Sequence, residues 1–176
     1  MNRRHLLISG AAVAAVGAGA GLAWWQQRPA AATTASPEAA LWRMQFDAPA
    51  GGTLPMSSLQ GKPLLLNFWA TWCAPCVKEM PMLDAFQRAQ AAAGWQVVGL
   101  AVDGPTPVRE FLAARSIGFK IGLAGMEGVE LSRSLGNANG GLPFSVVFDR
   151  GGRVVDRKLG ALTEENLADW AKRVSV

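Results

Sequence analysis

The feature that most constrains the fold of this chain is the segment LLLNFWATWCAPCVKEMP, at residues 64–81. Residues 63–70 form an almost continuous apolar run of strand length, which is typical of a central parallel strand covered on both faces. Residues 74–93 then carry apolar side chains at a spacing of three, which predicts a helix that Gly94 ends. A second apolar strand is predicted at 95–102, so the segment predicts a strand–helix–strand unit with a parallel strand pair and a right-handed crossover.

The rest of the domain is predicted to add a short hairpin before this unit and a second hairpin after it. Turn residues separate the strands of each hairpin, and glycines or capping residues bound the helices. The predicted strands are 41–47, 53–58, 119–124, 144–149 and 153–159, and the predicted helices are 107–116 with Thr106 as N-cap, 127–135, and a last one with Thr163 as N-cap.

The first 28 residues read as a targeting segment and not as part of the fold. An arginine pair at residues 3–4 precedes a stretch without Lys, Arg, Asp or Glu from residue 6 to 27, which is long enough to span a bilayer. The segment is compatible with a twin-arginine export signal, and both a retained membrane anchor and a cleaved signal remain open. Basic residues before the span place the domain outside a bacterial inner membrane, in the periplasm. We therefore predict residues 1–28 as signal or anchor, 29–40 as a flexible tether and 41–176 as the domain.

The charge of the chain excludes one class of partner. The net charge is +4, but three of the 17 basic residues lie in the N-terminal segment and all 13 acidic residues lie after it. The domain is therefore nearly neutral and has no electrostatic footprint for nucleic acid.

The two cysteines, Cys73 and Cys76, stand at the predicted junction of strand and helix. A helix N-terminus presents unpaired N–H groups and the positive end of the helix dipole, and both favour a thiolate, the nucleophilic form. Cys76 lies one turn further on, within reach of a disulfide. Proline is tolerated in the first helical turn, so Pro75 fixes the turn between them. This geometry favours a reversible cycle in which Cys73 attacks a substrate disulfide and Cys76 resolves the mixed disulfide.

Two other uses of the cysteine pair stay open, and both fit less well. A structural disulfide that closes so short a loop restrains the unfolded chain little. A zinc site requires two further ligands, whereas the single histidine is His5 in the N-terminal segment. We therefore predict no metal site.

The motif FWATWCAPC in this context resembles the thioredoxin superfamily. Gly141-Leu142-Pro143, directly before a predicted strand, resembles the cis-proline loop of that fold, and the run from Cys76 to Pro81 resembles the exported TlpA/ResA-like branch. The resemblance covers roughly residues 38–176. It implies an α/β, thioredoxin-like fold with a central mixed β-sheet flanked by helices and a short N-terminal hairpin.

Carried onto this sequence, the resemblance implies roles for individual residues. Cys73 is expected to be the exposed nucleophile and Cys76 the buried resolving thiol. The substrate-binding residues are expected to be Trp72, Pro75, Leu142 and a cis Pro143.

One position departs from the pattern of cytoplasmic thioredoxins. Where those proteins carry a buried aspartate on the strand before the motif, this chain has Asn67. Glu79, three residues beyond Cys76 on the same helix face, is the nearest alternative carboxylate. The resemblance implies that Glu79 transfers protons to or from the cysteines; the alternative is a solvated helix glutamate.

These expectations combine into one functional hypothesis. The chain is predicted to be a periplasmic thiol–disulfide oxidoreductase that reduces protein disulfides, for example in apocytochrome c or in copper-site assembly proteins, with electrons from a membrane thiol relay. No flavin, nicotinamide or haem motif is visible, so no cofactor beyond the Cys73–Cys76 pair is expected. The alternatives are a general thiol oxidant or isomerase, a non-catalytic peptide-binding module, and a copper carrier.

Overall fold

The structure, a computed structural model, describes residues 36–174 of the chain. It contains seven strands and five α-helices within that range, together with 3₁₀ turns at Met56–Leu59 and Ala91–Ala93. The strands are β1 (Gln45–Asp47), β2 (Thr53–Pro55), β3 (Leu64–Trp69), β4 (Gln96–Ala101), β5 (Lys120–Leu123), β6 (Phe144–Phe148) and β7 (Val154–Leu159). The helices are α1 (Pro37–Leu41), α2 (Ala74–Ala89), α3 (Pro105–Ala113), α4 (Glu127–Ser134) and α5 (Glu164–Val174).

The strands form one mixed sheet in the order β2-β1-β5-β4-β3-β6-β7. β3 pairs in parallel with β4 and antiparallel with β6, and β1 and β2 form the short antiparallel hairpin that the sequence predicts. The predicted α/β class, mixed sheet and strand–helix–strand unit are therefore confirmed. The parallel β3–β4 pair also fixes the start of α2 at the carboxyl end of β3.

Each face of the sheet carries its own apolar core, and β3 contributes to both because all six of its residues are buried. Leu65 and Trp69 pack with α2 and α5, whereas Leu66 and Phe68 pack on the opposite face with α1. Side chains alternate along a strand, so Asn67 shares the face of Leu65 and Trp69. The sequence of β3 thus contributes one polar side chain to the apolar layer beneath α2.

Several element boundaries differ from the prediction. The predicted strands 41–47 and 53–58 shorten to Gln45–Asp47 and Thr53–Pro55. Regular structure begins before residue 41, because Ser36 Oγ accepts a hydrogen bond from Ala39 N (3.2 Å) and caps α1 within the predicted tether. Serine followed by proline is a local helix-start signal, and the burial of Leu41 holds the helix against the sheet. The predicted cap of α3 at Thr106 is also wrong, since the helix begins at Pro105 after Gly104.

The N-terminal segment, including residues 1–28 and the first part of the predicted tether, lies outside the described residues. Within residues 36–174, no helix combines the length and apolar character needed to cross a bilayer.

Candidate functional site

The carboxyl end of β3 and the first turn of α2 bring the two cysteines together. Cys73 is the N-cap residue of α2, with extended backbone angles (φ −90°, ψ 96°). It forms a disulfide with Cys76 across a Cα–Cα distance of 5.3 Å. The backbone N–H of Cys76 donates to the Cys73 sulfur at 3.4 Å. This N–H would also stabilise negative charge on the sulfur in the reduced protein.

The structure corrects the predicted exposure of the nucleophile. Cys76 is fully buried, as predicted, but Cys73 is only 6% exposed. Its sulfur is bonded to that of Cys76, and both residues belong to the apolar core beneath α2. The exposed part of the site is its rim, where Trp72 is 68% exposed and Pro75 is also exposed.

The predicted proline loop lies at the same end of the sheet. Phe68 of β3 pairs with Phe144 of β6, so residues 142–143 lie beside the segment that leads from β3 to Cys73. The Leu142–Pro143 peptide bond is cis, as the sequence resemblance implies. Pro143 is buried and its carbonyl accepts a hydrogen bond from Gly160 N (2.8 Å), whereas Leu142 remains partly exposed. The loop is therefore anchored to Gly160, the residue that follows β7, and still presents an apolar side chain.

Glu79 is not a solvated helix residue, because it is only 4% exposed. Its Oε1 accepts a hydrogen bond from Asn67 Nδ2 (2.8 Å) and its Oε2 accepts one from Leu162 N (2.8 Å). Burial raises the pKa of Glu79 above its ordinary value of 4.5, while the bonds from Leu162 and Asn67 oppose that rise. A carboxyl group with this environment can take up and release a proton closer to neutral pH than an exposed glutamate can.

A third side chain, Ser145, completes a buried polar network that sequence reasoning missed. Asn67 Nδ2 also donates to Ser145 Oγ (3.0 Å), and the two residues stand opposite each other on β3 and β6. The available signal was a serine within the otherwise apolar buried strand FSVVF. The contact itself joins positions 78 residues apart, so no local pattern reveals it.

Asp103 supports the backbone before the disulfide. Its Oδ2 accepts hydrogen bonds from Thr71 N (2.9 Å) and Thr71 Oγ1 (2.6 Å). Because Asp103 follows β4 and Thr71 follows β3, the carboxylate ties the ends of two adjacent strands together. This contact holds the segment that carries Trp72 and Cys73.

A pocket of about 430 Å³ opens beside the first turns of α2. It is lined by Pro75, Lys78, Glu79, Met82, Ala161 and Leu162. Glu79 therefore borders a surface pocket although only 4% of the residue is exposed.

Comparison with known proteins adds family and fold to this geometry. Residues 32–172 match the Redoxin family. The chain is 32% identical over 126 residues to the thiol-disulfide oxidoreductase ResA of Bacillus thuringiensis (strain Al Hakam), covering 71% of this chain and 70% of that protein. A ResA of Bacillus cereus is 29% identical over 126 residues, with the same coverage of both chains.

Solved structures agree with the sequence relatives. A thiol:disulfide interchange protein of the thioredoxin family from Chlorobium tepidum TLS superposes with a TM-score of 0.68 at 26% identity. The match covers 76% of this chain and 93% of that one. The predicted thioredoxin-like fold is therefore confirmed.

Proposed function

The chain belongs to the redoxin family and is a thiol–disulfide oxidoreductase, and from that premise we propose that it reduces specific protein disulfides in the periplasm. The observation that carries the proposal is the redox pair at the start of α2 with a buried carboxyl group one helical turn beyond Cys76. The substrate class is a protein disulfide, such as that of an apocytochrome c or of a copper-site assembly protein.

The first step is nucleophilic attack by Cys73. In the reduced protein the Cys73 thiolate attacks one sulfur of the substrate disulfide, forms a mixed disulfide and displaces the other substrate sulfur as a thiolate. The N–H of Cys76, which donates to this sulfur in the oxidised protein, favours the attacking anion.

The second step is resolution by Cys76, and it requires a proton acceptor. The Cys76 thiol gives its proton to the Glu79 carboxylate, and the Cys76 sulfur attacks the Cys73 sulfur of the mixed disulfide. The Cys73–Cys76 bond forms, the second substrate thiolate leaves, and two electrons have passed from the enzyme dithiol to the substrate. The proton on Glu79 then returns to solvent or to the substrate through the pocket that Glu79 lines.

The rim of the site accounts for recognition of a protein and not of a small thiol. Trp72, Pro75 and Leu142 supply apolar surface around a nearly buried disulfide, so a substrate has to bring its own disulfide into contact with them. Pro143 sets the backbone of the loop that a substrate peptide meets.

The electron path follows from the same chemistry. The chain carries electrons on its own two sulfurs and needs no cofactor. Reduction of the Cys73–Cys76 disulfide requires a second dithiol, and we assign that part to a membrane thiol relay. The N-terminal segment keeps the domain near that relay if it is retained as an anchor.

Two measurements test this function. The equilibrium of the Cys73–Cys76 pair with a dithiothreitol or glutathione buffer is expected to give a potential well below that of a strong oxidant, about −120 mV. Cys73→Ser is expected to abolish turnover of a protein disulfide. A potential near −120 mV would instead support a general oxidant, and persistent turnover in Cys73→Ser would remove the mechanism. Unchanged peptide binding without any reductase activity in the wild type would indicate a binding module.

A further inference from the structure

The hydrogen bonds around Glu79 suit its ionised form and leave its protonated form without a partner. Both carboxyl oxygens meet donors, namely Asn67 Nδ2 and Leu162 N. A protonated carboxyl group carries a hydrogen of its own that needs an acceptor. If Glu79 takes up a proton from Cys76, something in this buried network has to change.

One buried acceptor next to Glu79 is unused. Asn67 is fully buried, and its Nδ2 supplies the bonds to both Glu79 and Ser145. Its Oδ1 accepts no hydrogen bond from any residue of the described chain. A buried carbonyl oxygen without a partner is uncommon in folded proteins.

We propose that Asn67 and Ser145 are positioning residues whose hydrogen bonds reverse when Glu79 gains or loses a proton. The proposal rests on the proposed function, in which Glu79 accepts the proton of Cys76. It assigns to Asn67 and Ser145 the task of presenting a donor to ionised Glu79 and an acceptor to protonated Glu79.

The reversal requires only a half-turn of the Asn67 amide. Such a turn exchanges the positions of Oδ1 and Nδ2 and keeps the side chain between the same neighbours. Oδ1 then accepts the hydrogen of protonated Glu79 and that of the Ser145 hydroxyl. Both Nδ2 hydrogens then point to the side where Oδ1 had no partner among the described residues, which is the cost of the reversal. No covalent bond forms or breaks, and the proton stays on Glu79.

Ser145 suits this exchange because a hydroxyl group both donates and accepts. Toward the Asn67 amide nitrogen it accepts, as the structure shows at 3.0 Å. Toward the Asn67 oxygen it would donate. An alanine or valine, which the rest of the strand would favour, could do neither.

Among residues 36–174, no other charged side chain is hydrogen-bonded to Glu79, Asn67 or Ser145. Of the titratable residue types on or capping α2, Lys78 lines the same pocket as Glu79, whereas Cys73 and Cys76 are joined in the disulfide and do not titrate in the oxidised protein. The contacts from β3, β6 and the segment before α5 come from Asn67, Ser145 (through Asn67) and the Leu162 N–H, none of which ionises in the physiological range.

The direct test is an NMR titration of the oxidised full-length chain with ¹⁵N-labelled asparagine. The chain has five asparagines, and the Asn67 side-chain signals are assigned by their loss in Asn67→Asp. We expect these signals to shift with the same midpoint as the ¹³C carboxyl signal of Glu79. Asn137, whose side chain donates to Ser132 Oγ and Gly141 O, serves as an internal control and is expected not to move at that midpoint.

A variant series tests the part of Ser145. Relative to wild type, Ser145→Ala takes the partner from one buried N–H of Asn67 when Glu79 is ionised, whereas it takes only one of two donors from Oδ1 when Glu79 is protonated. A buried unpaired N–H costs more free energy than a carbonyl oxygen that loses one of two donors. The midpoint of the Glu79 titration is therefore expected to rise by about half a pH unit to one pH unit. Ser145→Thr keeps the hydroxyl and is expected to retain the wild-type midpoint. Ser132→Ala removes a matched buried serine elsewhere and is expected to leave the midpoint unchanged.

Each outcome decides the proposal. Asn67 signals that stay fixed while Glu79 titrates would overturn it, as would an unshifted midpoint in Ser145→Ala or an equal shift in Ser132→Ala. The wild-type titration keeps the test valid even if Ser145→Ala fails to fold. The titration needs no turnover of substrate. A failed reductase assay and a failed reversal of the Asn67 hydrogen bonds therefore give separate results.

Discussion

Two buried asparagine–serine pairs in this fold share a hydrogen-bond pattern and differ in what the asparagine meets next. We call Asn67–Ser145 the strand pair and Asn137–Ser132 the loop pair. In each, the asparagine Nδ2 donates to the serine hydroxyl and to one further oxygen, and Oδ1 has no partner among the described residues. The further oxygen of the loop pair is the carbonyl of Gly141, at 2.9 Å.

The identity of that further oxygen separates a fixed anchor from a responsive site. A peptide carbonyl does not titrate, so the loop pair holds a single arrangement and fixes the chain that leads into the cis peptide bond. The strand pair meets the Glu79 carboxyl, whose charge can change. Under the proposed function, the same side-chain device therefore serves structure in one place and proton exchange in the other.

Removing the charge of Glu79, which is hydrogen-bonded to the strand pair, is expected to have the largest effect. In Glu79→Gln the resolving thiol loses its proton acceptor, so the rate of protein disulfide reduction is expected to fall by about 10²-fold or more, within the range of general acid–base catalysis. Single-turnover kinetics of the Cys73–Cys76 dithiol with a protein disulfide measure this rate. Glu110→Gln, an exposed position on α3, is the matched control and is expected to behave as wild type. Equal rates in the two variants would contradict a proton-transfer role for Glu79.

Removing the loop pair is expected to act on stability and on binding. Asn137 is 2% exposed, and Asn137→Ala loses its bonds to Ser132 and Gly141. Because the Gly141 carbonyl is left without this donor, the free energy of unfolding is expected to fall by about 1–3 kcal/mol. The KM for a protein substrate is expected to rise, since the loop before Pro143 is no longer held.

Urea unfolding and steady-state kinetics measure these two effects. Asn139→Ala, an exposed neighbour in the same loop, controls for the loss of a side chain there. An Asn137→Ala protein as stable as Asn139→Ala would show that the loop pair is not an anchor. If the pH profile of the reaction changed in Asn137→Ala, the loop pair would also affect the pH response, and the proposed difference between the two pairs would be wrong.

The contrast between the pairs also shows how far sequence reasoning reaches. The apolar run of β3, the cysteines at the start of α2 and the hairpin β6–β7 are local patterns, and the structure has them where the sequence predicts them. The cis peptide bond at Pro143 followed from resemblance to a known family. Most of the fold and the redox pair were therefore predictable.

Partners that are distant in sequence were not predictable. The bond from Leu162 N to Glu79 joins residues 83 apart, and the burial of Glu79 depends on that contact and on Asn67. The low exposure of Cys73 depends on packing around the disulfide in the same way. The cap of α1 at Ser36 was missed for a different reason. Its signal is local, but the Ala-rich composition around it favoured the prediction of a tether.

The smallest expected effect is a difference in how stability depends on pH. Burial raises the pKa of Glu79 in the folded protein above 4.5, so the folded state binds this proton more tightly than the unfolded state does. The free energy of unfolding is therefore expected to decrease as pH rises from 4.5 through the raised value, by about 1.4 kcal/mol for each unit of the rise. Glu79→Gln lacks the carboxyl and is expected to lose this decrease, whereas Asn137→Ala is expected to retain it at a lower overall stability. Urea midpoints between pH 4.5 and 8 measure the three slopes. If the wild type and Glu79→Gln have equal slopes, the charge on Glu79 costs nothing in the folded state, and the strand pair is as inert to pH as the loop pair.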